Sequence, residues 1–394
     1  MSSRGSIVVV SPYRTEYGPR EVLEHVAEAV VAAGYTPVLA VPEGAQLTPS
    51  LHERSGRIVT IPNLTTIPRT VNIFRLIAFL RAHLSAARTI RELAVEENAI
   101  AIYATSEATF CGGLAARRLE LPSVVHAIGM SINSPRWVAA FYIRFLDRVT
   151  DMFVACSAAV AEMFSAHGVD ELKNTVVHNG VDARRVRSAG ATPMTLPQDG
   201  PAVGMVAAYD SRKGHELFVD AAARVAADHR SVRFYLIGGV LPGQKESAAF
   251  EQRIAARIAE LGLSSRFEQV GYVTAPEVYR WIRAMNVIVV PSRTEAFAHA
   301  LLEAMICERP VVATGIEGNL DAFIDGYSGI YVPRSPEELA RAIDGLLSDP
   351  ARAQAMGEAA GRHATRLFDL DVTVSANMQV IRELLADWPP ATAA

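Results

Sequence analysis

Cysteine is scarce in this chain of 394 residues: there are three, Cys111, Cys156 and Cys307, far apart and in apolar surroundings. No two form a C-x-x-C pair and the number is odd, which argues against a disulfide frame and predicts buried free thiols in a reducing compartment. An excess of one charge is missing too. The formal net charge is -4, whereas polyphosphate binding usually shows as a basic surplus, so a nucleic-acid partner is not expected. Nowhere do roughly 18 apolar residues run without a charge, so no transmembrane helix is expected. The opening "MSSRGSIVVVSPYR" enters a strand without the ~7–15 apolar residues of a secretory leader, and the expectation is a cytoplasmic protein. A G-x-G-x-x-G turn is also absent after the first strand. In its place stands "SPYRTEYGPRE", with Gly18 opening the next helix, which disfavours a dinucleotide-binding dehydrogenase.

What is present is apolar substance and a rhythm. Half of the residues are hydrophobic and a fifth are charged, enough to fill large cores in two or three domains. Short β-branched runs alternate with long amphipathic stretches. Strands are expected at 6–10, 36–41, 56–61, 99–104, 123–127, 151–156 and 174–179, with helices including 20–33, 70–96, 136–149 and 157–166. Several strands are apolar throughout, the pattern of a parallel sheet covered on both faces. The segment 187–202, "RSAGATPMTLPQDGPA", breaks the period and reads as a linker. The rhythm then resumes, with strands at 202–208, 232–238, 266–272, 286–292, 309–314 and 328–333. Helices fall at 214–228, 246–262, 276–284, 298–307 and 336–347, and two more, 350–366 and 371–387, have no strand between them. The expected architecture is α/β: two Rossmann-like doubly wound domains, 1–190 and 191–367, facing a cleft, and a helical tail from 368 to 394. Ligands in such sheets bind beyond the carboxyl ends of the strands.

Residues 294–303, "TEAFAHALLE", set two carboxylates eight positions apart at the mouth of a helix expected to start at Phe297 or Ala298. From the preceding loop Glu295 can reach a ligand seated on the helix start, and Glu303 can reach a group further along it. Between them, the backbone N–H groups of Phe297, Ala298, His299 and Ala300 would face an anion. Carboxylates suit vicinal hydroxyls, because each oxygen accepts from a neighbouring O–H. Together these features fit a sugar–diphosphate–ribose molecule. Taken alone, the same spacing is also that of a helix-start acid favoured by the macrodipole and a surface glutamate.

The stretch "PSRTEAFAHALLEAMICERPVVATGIEGNLDAFIDGYSGIYVP" (291–333) resembles the donor half of retaining family-4 glycosyltransferases of the GT-B fold. So do "DSRKGHELFVDAAARV" (210–225) and "RFEQVGYVTAPEVYRWIRAMNVIVVPS" (266–292). In the first half, "SEATFCGGLAARRLELPSVVHAIGM" and "DRVTDMFVACSAAVAEMF" match in order and spacing. The resemblance implies that Glu295 contacts the donor sugar and Glu303 the ribose. Lys213, with Arg212, would neutralise the diphosphate. His126 would hydrogen-bond the donor sugar, and Gly18 would belong to a glycine loop closing on the diphosphate. Tyr272, with the backbone of Gly271 and Val273, would lie near the base. His299 is either a further donor to the phosphate or a cap of the helix start. It also implies that the tail crosses back onto the first domain. Three features depart from the family pattern: Ala207 and Ala208 stand where an Arg is usual, Ala298 where Gly or Pro is and Ala296 where Gly often is, and Asp321 where a Glu is. "FDLD" (368–371) imitates an Asp-x-Asp metal motif, but an Asp at a helix start is an ordinary N-cap. With no other carboxylate, His or Cys cluster at ligand spacing, no metal or cofactor is expected.

The implied reaction moves a sugar from a nucleoside-diphosphate donor to an acceptor hydroxyl or another nucleophile, in glycan or small-metabolite synthesis. No residue is placed as a carboxylate nucleophile for double displacement, so same-face substitution is favoured, the departing phosphate taking the acceptor proton. Two alternatives stay open: a sugar-nucleotide epimerase or hydrolase on the same fold, and a non-catalytic sugar-nucleotide-binding subunit. The basic, apolar segment 61–92 suits either peripheral contact with a membrane-borne acceptor or a core-facing helix with an Arg-lined outer face.

Overall fold

A computed structural model of the chain describes residues 5–14, 17–67, 73–129, 136–196, 200–241, 243–386 and 388. The first residues of the helix expected at 70–96, the last residue of "HAIGM" and the middle of the expected linker lie outside these. The described chain divides into two compact units, Met1–Gly180 with Asp371–Ala394, and Val181–Leu370.

The first unit runs β1 (Ser6–Val10), α1 (Tyr17–Ala32), β2 (Thr36–Pro42), α2 (Pro49–Arg54), β3 (Arg57–Ile61), α3 (Ile73–Glu96), β4 (Ala99–Ala104), α4 (Cys111–Leu119), β5 (Ser123–Ala127), α5 (Arg136–Val149), β6 (Met152–Ala155), α6 (Ala158–Ala166) and β7 (Asn174–Val176). The second runs α7 (Ala183–Ala189), β8 (Ala202–Val206), α8 (His215–Asp228), β9 (Arg233–Ile237), α9 (Lys245–Glu260), β10 (Phe267–Gly271), α10 (Ala275–Ala284), β11 (Val287–Val290), α11 (His299–Ile306), β12 (Val311–Thr314), β13 (Ile330–Val332), α12 (Pro336–Ser348) and α13 (Pro350–Phe368). The terminal helix α14 (Leu370–Ala386) belongs, from Asp371 on, to the first unit.

Every strand pairing is parallel, in the orders β3-β2-β1-β4-β5-β6-β7 and β10-β9-β8-β11-β12-β13. The sequence foretells this: β1, β5, β11 and β12 are buried along their whole length, as strands covered on both faces must be. In the second unit, Phe234 stacks on Phe267 at 5.0 Å and both meet Phe218 edge-on, fixing α8 and β10 against β9.

Each sheet reverses its strand order once, between β1 and β4 and between β8 and β11. The loops that leave two such neighbours diverge to opposite faces and open a crevice at their carboxyl ends. In the second unit these are the loop after β8, which carries Arg212 and Lys213, and the loop after β11, which carries Glu295.

Two differences from the sequence reading concern helices. The linker expected from residue 187 begins later, because α7 runs to Ala189 and packs on α10 and α11. Asp182 caps it, its side chain accepting from the Arg185 N–H. The division between units therefore falls at Gly180/Val181 rather than at 190. Helix α4 carries Gly112 and Gly113, which weaken any helix signal. A Cβ on Gly113 would lie 2.4 Å from the Val149 carbonyl oxygen, so this glycine serves the close approach of α4 to the end of α5.

Candidate active site

The loop after β8 is shaped by Asp210. Its side chain accepts from the Arg212 backbone N–H at 2.9 Å, and its carbonyl accepts from the Lys213 N–H at 2.9 Å. Gly214 follows in the left-handed region, with φ of 81°. A Cβ there would sit 1.8 Å from the Pro291 carbonyl oxygen. No other residue fits, and the glycine is what lets this loop lie against the one leaving β11. The two loops are also joined where the Arg293 N–H donates to the Arg212 carbonyl at 2.6 Å.

Across this junction Lys213 Nζ donates to Glu295 Oε2 at 2.7 Å. The same oxygen accepts from Ser292 Oγ at 3.2 Å. Lys213 keeps two further N–H donors for an incoming anion. Arg212 is held differently: its guanidinium grips both oxygens of Asp210 at 2.6–3.1 Å. Burial would push the Asp210 carboxyl up, but the Arg212 hydrogen bonds and charge hold it below the usual range. Ala207 and Ala208 are half-buried at the end of β8, with no charge to add.

Glu295 is fixed from a third side. Its N–H donates to Glu317 Oε2 at 3.1 Å, and its carbonyl accepts from the Gly318 N–H at 3.2 Å. Glu317 itself has φ of 29°, backbone strain of a kind found where a site over-determines the chain. The sequence reading passed over Glu317. Asp321 is the acid that the family pattern marks in the 317–321 turn, and nothing in the spacing distinguishes the first acid from the last.

Helix α11 starts at His299, one residue after the expected range, with Ala298 as an N-cap that offers no side-chain hydrogen bond. The start of this helix thus relies on backbone amides and the macrodipole, the arrangement that suits a bound anion. The Leu301 and Leu302 N–H groups both turn back to the Ala298 carbonyl. Phe297 is buried and meets Phe368 edge-on at 5.3 Å, which anchors the loop. His299 and Ala300 are half-buried. Glu303 lies one turn on and is only 4 % exposed, so it is not the surface acid that its spacing alone allows. Gly271 closes β10, its carbonyl accepting from the Gly238 N–H at 3.0 Å. Tyr272 then stands 83 % exposed, and Val273 leads into α10. Lys213, Arg212, Glu295, Ala298 and Tyr272 all follow the carboxyl ends of strands in one sheet.

His126 and Gly18 belong to the first unit. Gly18 lies in the opening turn of α1 and is half-buried. His126 is 2 % exposed on β5, with Nδ1 3.1 Å from the Tyr103 hydroxyl. Burial, with the neighbouring His25, pulls its pKa down to about 3, so the ring is neutral near pH 7. Beside it the sequence reading missed Glu107. This buried carboxylate accepts from the Ile128 N–H at 3.0 Å and from the Gly129 N–H, pinning the chain that leaves β5. Burial raises Glu107 to about 7, against the pull of those backbone bonds.

Asp369 of the "FDLD" segment behaves as a helix-start acid: Oδ1 accepts from the Leu370 and Ala183 N–H groups at 2.9 and 3.1 Å. Among the described residues no three His, Cys, Asp or Glu side chains gather to hold a metal ion. All three cysteines are free and buried. No helix among the described residues is long and apolar enough to cross a membrane.

The family described as Glycosyl transferases group 1 matches residues 193–363, and Glycosyltransferase Family 4 matches residues 18–185. The lipopolysaccharide core biosynthesis mannosyltransferase LpcC of Rhizobium leguminosarum is 31% identical over 256 residues, 62% of this chain and 68% of that protein. A D-inositol 3-phosphate glycosyltransferase of Catenulispora acidiphila is 31% identical over 248 residues, 61% of this chain. The match spans little more than half of that relative, 58% of its length. Among solved structures, Anabaena HepE in complex with UDP and glucose superposes with a TM-score of 0.75 at 20% identity, over 97% of this chain and 100% of that one. Sucrose-phosphate synthase from Thermosynechococcus elongatus gives 0.78 at 21%, over 97% and 99%. Both show the fold. The chain belongs to the family-4 glycosyltransferases, with the two Rossmann-like domains of the GT-B fold.

Proposed function

We propose that the protein transfers a hexosyl group from a nucleoside-diphosphate sugar to an acceptor hydroxyl, with retention of anomeric configuration. The observation that carries this is the Lys213–Glu295 pair, 2.7 Å apart at the switch point of the second sheet and beside the start of α11. The diphosphate takes the place against Lys213 and the helix amides. Glu295 accepts from donor-sugar hydroxyls, Glu303 from the ribose, and Tyr272 offers a face to the base. His126 contacts the donor sugar. Relatives named for inositol-phosphate glycosyl and mannosyl transfer, and solved structures holding UDP, support this reading.

The bond from the anomeric carbon to the phosphate oxygen breaks, and one to the acceptor oxygen forms on the same face. The acceptor proton passes to the departing phosphate. Lys213 and the start of α11 stabilise the growing negative charge, as this kind of catalysis requires. That holding of charge is assigned to the chain's own residues, and the proposal includes activity without a divalent metal. Incubation with a UDP- or GDP-sugar alone tests it against hydrolysis or epimerisation: product formed at full rate without an acceptor would favour those reactions.

The acceptor side is read from α3. Phe74 is 79 % exposed, with Leu76, Ile77, Leu80 and Leu84 also outward, and Phe141 of α5 is 73 % exposed. Arg81 and Arg88 are exposed on the same helix. An apolar face edged by arginines suits an anionic membrane surface, and we propose that the acceptor is presented there. Co-flotation with phosphatidylglycerol vesicles tests this. Loss of flotation in a Phe74→Ser/Leu80→Ser variant supports it, and no flotation of the parent protein contradicts it.

A further inference from the structure

We propose that Asn377 and Tyr103 are positioning residues which fix His126 as its Nδ1–H tautomer, leaving Nε2 as a hydrogen-bond acceptor for a sugar hydroxyl. The inference rests on reading His126 as the donor-sugar contact.

The protons of three side chains in the first unit fix one another's places. On α14, Asn377 Nδ2 donates to the Thr373 carbonyl at 3.0 Å. A carbonyl can only accept, so this bond settles which way the amide faces. Asn377 Oδ1 is thereby turned to Tyr103, whose hydroxyl donates to it at 2.8 Å. A phenol has one proton. With that proton committed to Asn377, the Tyr103 oxygen can only accept from its second neighbour, His126 Nδ1, at 3.1 Å. Nδ1 must therefore carry the hydrogen. A neutral imidazole has only one, so Nε2 is bare. Protonating it as well would charge a ring that is 2 % exposed and faces His25, and burial disfavours this. Nε2 is buried without a hydrogen-bond partner among the described residues. A buried acceptor left unmatched is costly, and a ligand O–H can satisfy it. Nε2 is then neither a proton source for the leaving phosphate nor a donor to it. Its role is to select for a hydroxyl.

The three side chains come from distant parts of the chain, 23 residues apart between Tyr103 and His126 and 274 between Tyr103 and Asn377. They meet because β4 and β5 are neighbours and α14 belongs to their unit.

The test is ¹⁵N spectroscopy of the full chain labelled at histidine, without ligand, with a His126→Gln sample assigning the resonance. The parent protein is expected to show the Nδ1–H pattern. In Asn377→Leu the freed Tyr103 proton turns to Nδ1, and the pattern should invert to Nε2–H. In Tyr103→Phe, which keeps the ring and its packing, the Nδ1–H preference should be lost. An Nε2–H pattern in the parent, or an unchanged pattern in both variants, overturns the relay. A second arm adds UDP-glucose and its 3-, 4- and 6-deoxyfluoro analogues. Fluorine cannot donate, so one analogue should lose about tenfold in kcat/KM, and Asn377→Leu should narrow that ratio, since Nε2–H can donate to fluorine. A correct tautomer with no analogue discriminated and an unmoved His126 resonance would leave the relay standing and overturn the hydroxyl contact.

Discussion

Lys213 and Glu295 come from loops 82 residues apart in sequence, yet their side chains meet at 2.7 Å. The pair is half-buried and sits where two neighbouring strands send their connections to opposite faces. On the proposed reading, it holds a cation in place for a diphosphate leaving group, and a carboxylate in place for hydroxyls, before either ligand arrives. Lys213→Ala should lower kcat/KM by about 10²–10³-fold, the scale seen when one transition-state charge contact is lost. Lys213→Arg should recover part of it. Circular dichroism and steady-state rates on the same samples separate loss of chemistry from loss of fold.

Glu317 is expected to act through Glu295 without touching substrate. Its carboxylate accepts the Glu295 N–H, and its neighbour Gly318 donates back to the Glu295 carbonyl. Glu317→Ala should lower kcat by about tenfold, with a smaller change in nucleotide affinity, because a misplaced group loses rate more than binding. Rates measured beside UDP titrations distinguish this from a general loosening of the second unit.

Gly214→Ala should be among the most damaging small substitutions in the chain. The added methyl meets the Pro291 carbonyl at 1.8 Å, at a positive φ. The two site loops must part, with a stability loss greater than about 1 kcal/mol and loss of the Lys213–Glu295 contact. Urea denaturation and turnover of the variant check both halves.

The sequence made much of this legible, and the limits are physical. Every strand of both sheets is foreseen, because runs such as "SIVVV" and "VIVV" are β-branched and buried on both faces. The helix α4 is obscured by its glycines, and α7 by composition that reads as linker. Glu295 and Lys213 are visible as residue types in a familiar order. That they pair with each other, while Arg212 pairs with Asp210, depends on loop packing through Gly214 that spacing does not encode. The link from Tyr103 to Asn377 joins residues with no pattern in common. For Glu303, spacing alone leaves both a ligand contact and a surface acid open, and its burial removes the surface reading.

Glu107 gives a pH signature. Its carboxyl is raised to about 7 by burial, above the ~4.3 of a free glutamate. Between those values the folded state holds a proton that the unfolded state has released. Its contribution is therefore present in full below pH ~4.3 and lost as pH rises through about 7, a difference of roughly 4 kcal/mol. Buried His83, His126 and His215, lowered by desolvation to about 4, 3 and 4, act in the opposite sense over the same range. Only the difference between the parent and Glu107→Gln isolates the effect. Urea stability across pH 5–8 should show the parent losing stability relative to the variant as pH rises, and a flat difference would contradict the assignment.

The central claim is that a nucleoside diphosphate rests against Lys213 and the start of α11. Thermal unfolding with UDP, GDP and dTDP, run on the parent and on Lys213→Ala, tests it most directly, since a ligand bound to the folded state raises its melting temperature. One of the three should raise the parent's melting temperature by several degrees and have little effect on the variant. No shift with any of them, or an equal shift in the variant, would contradict the account.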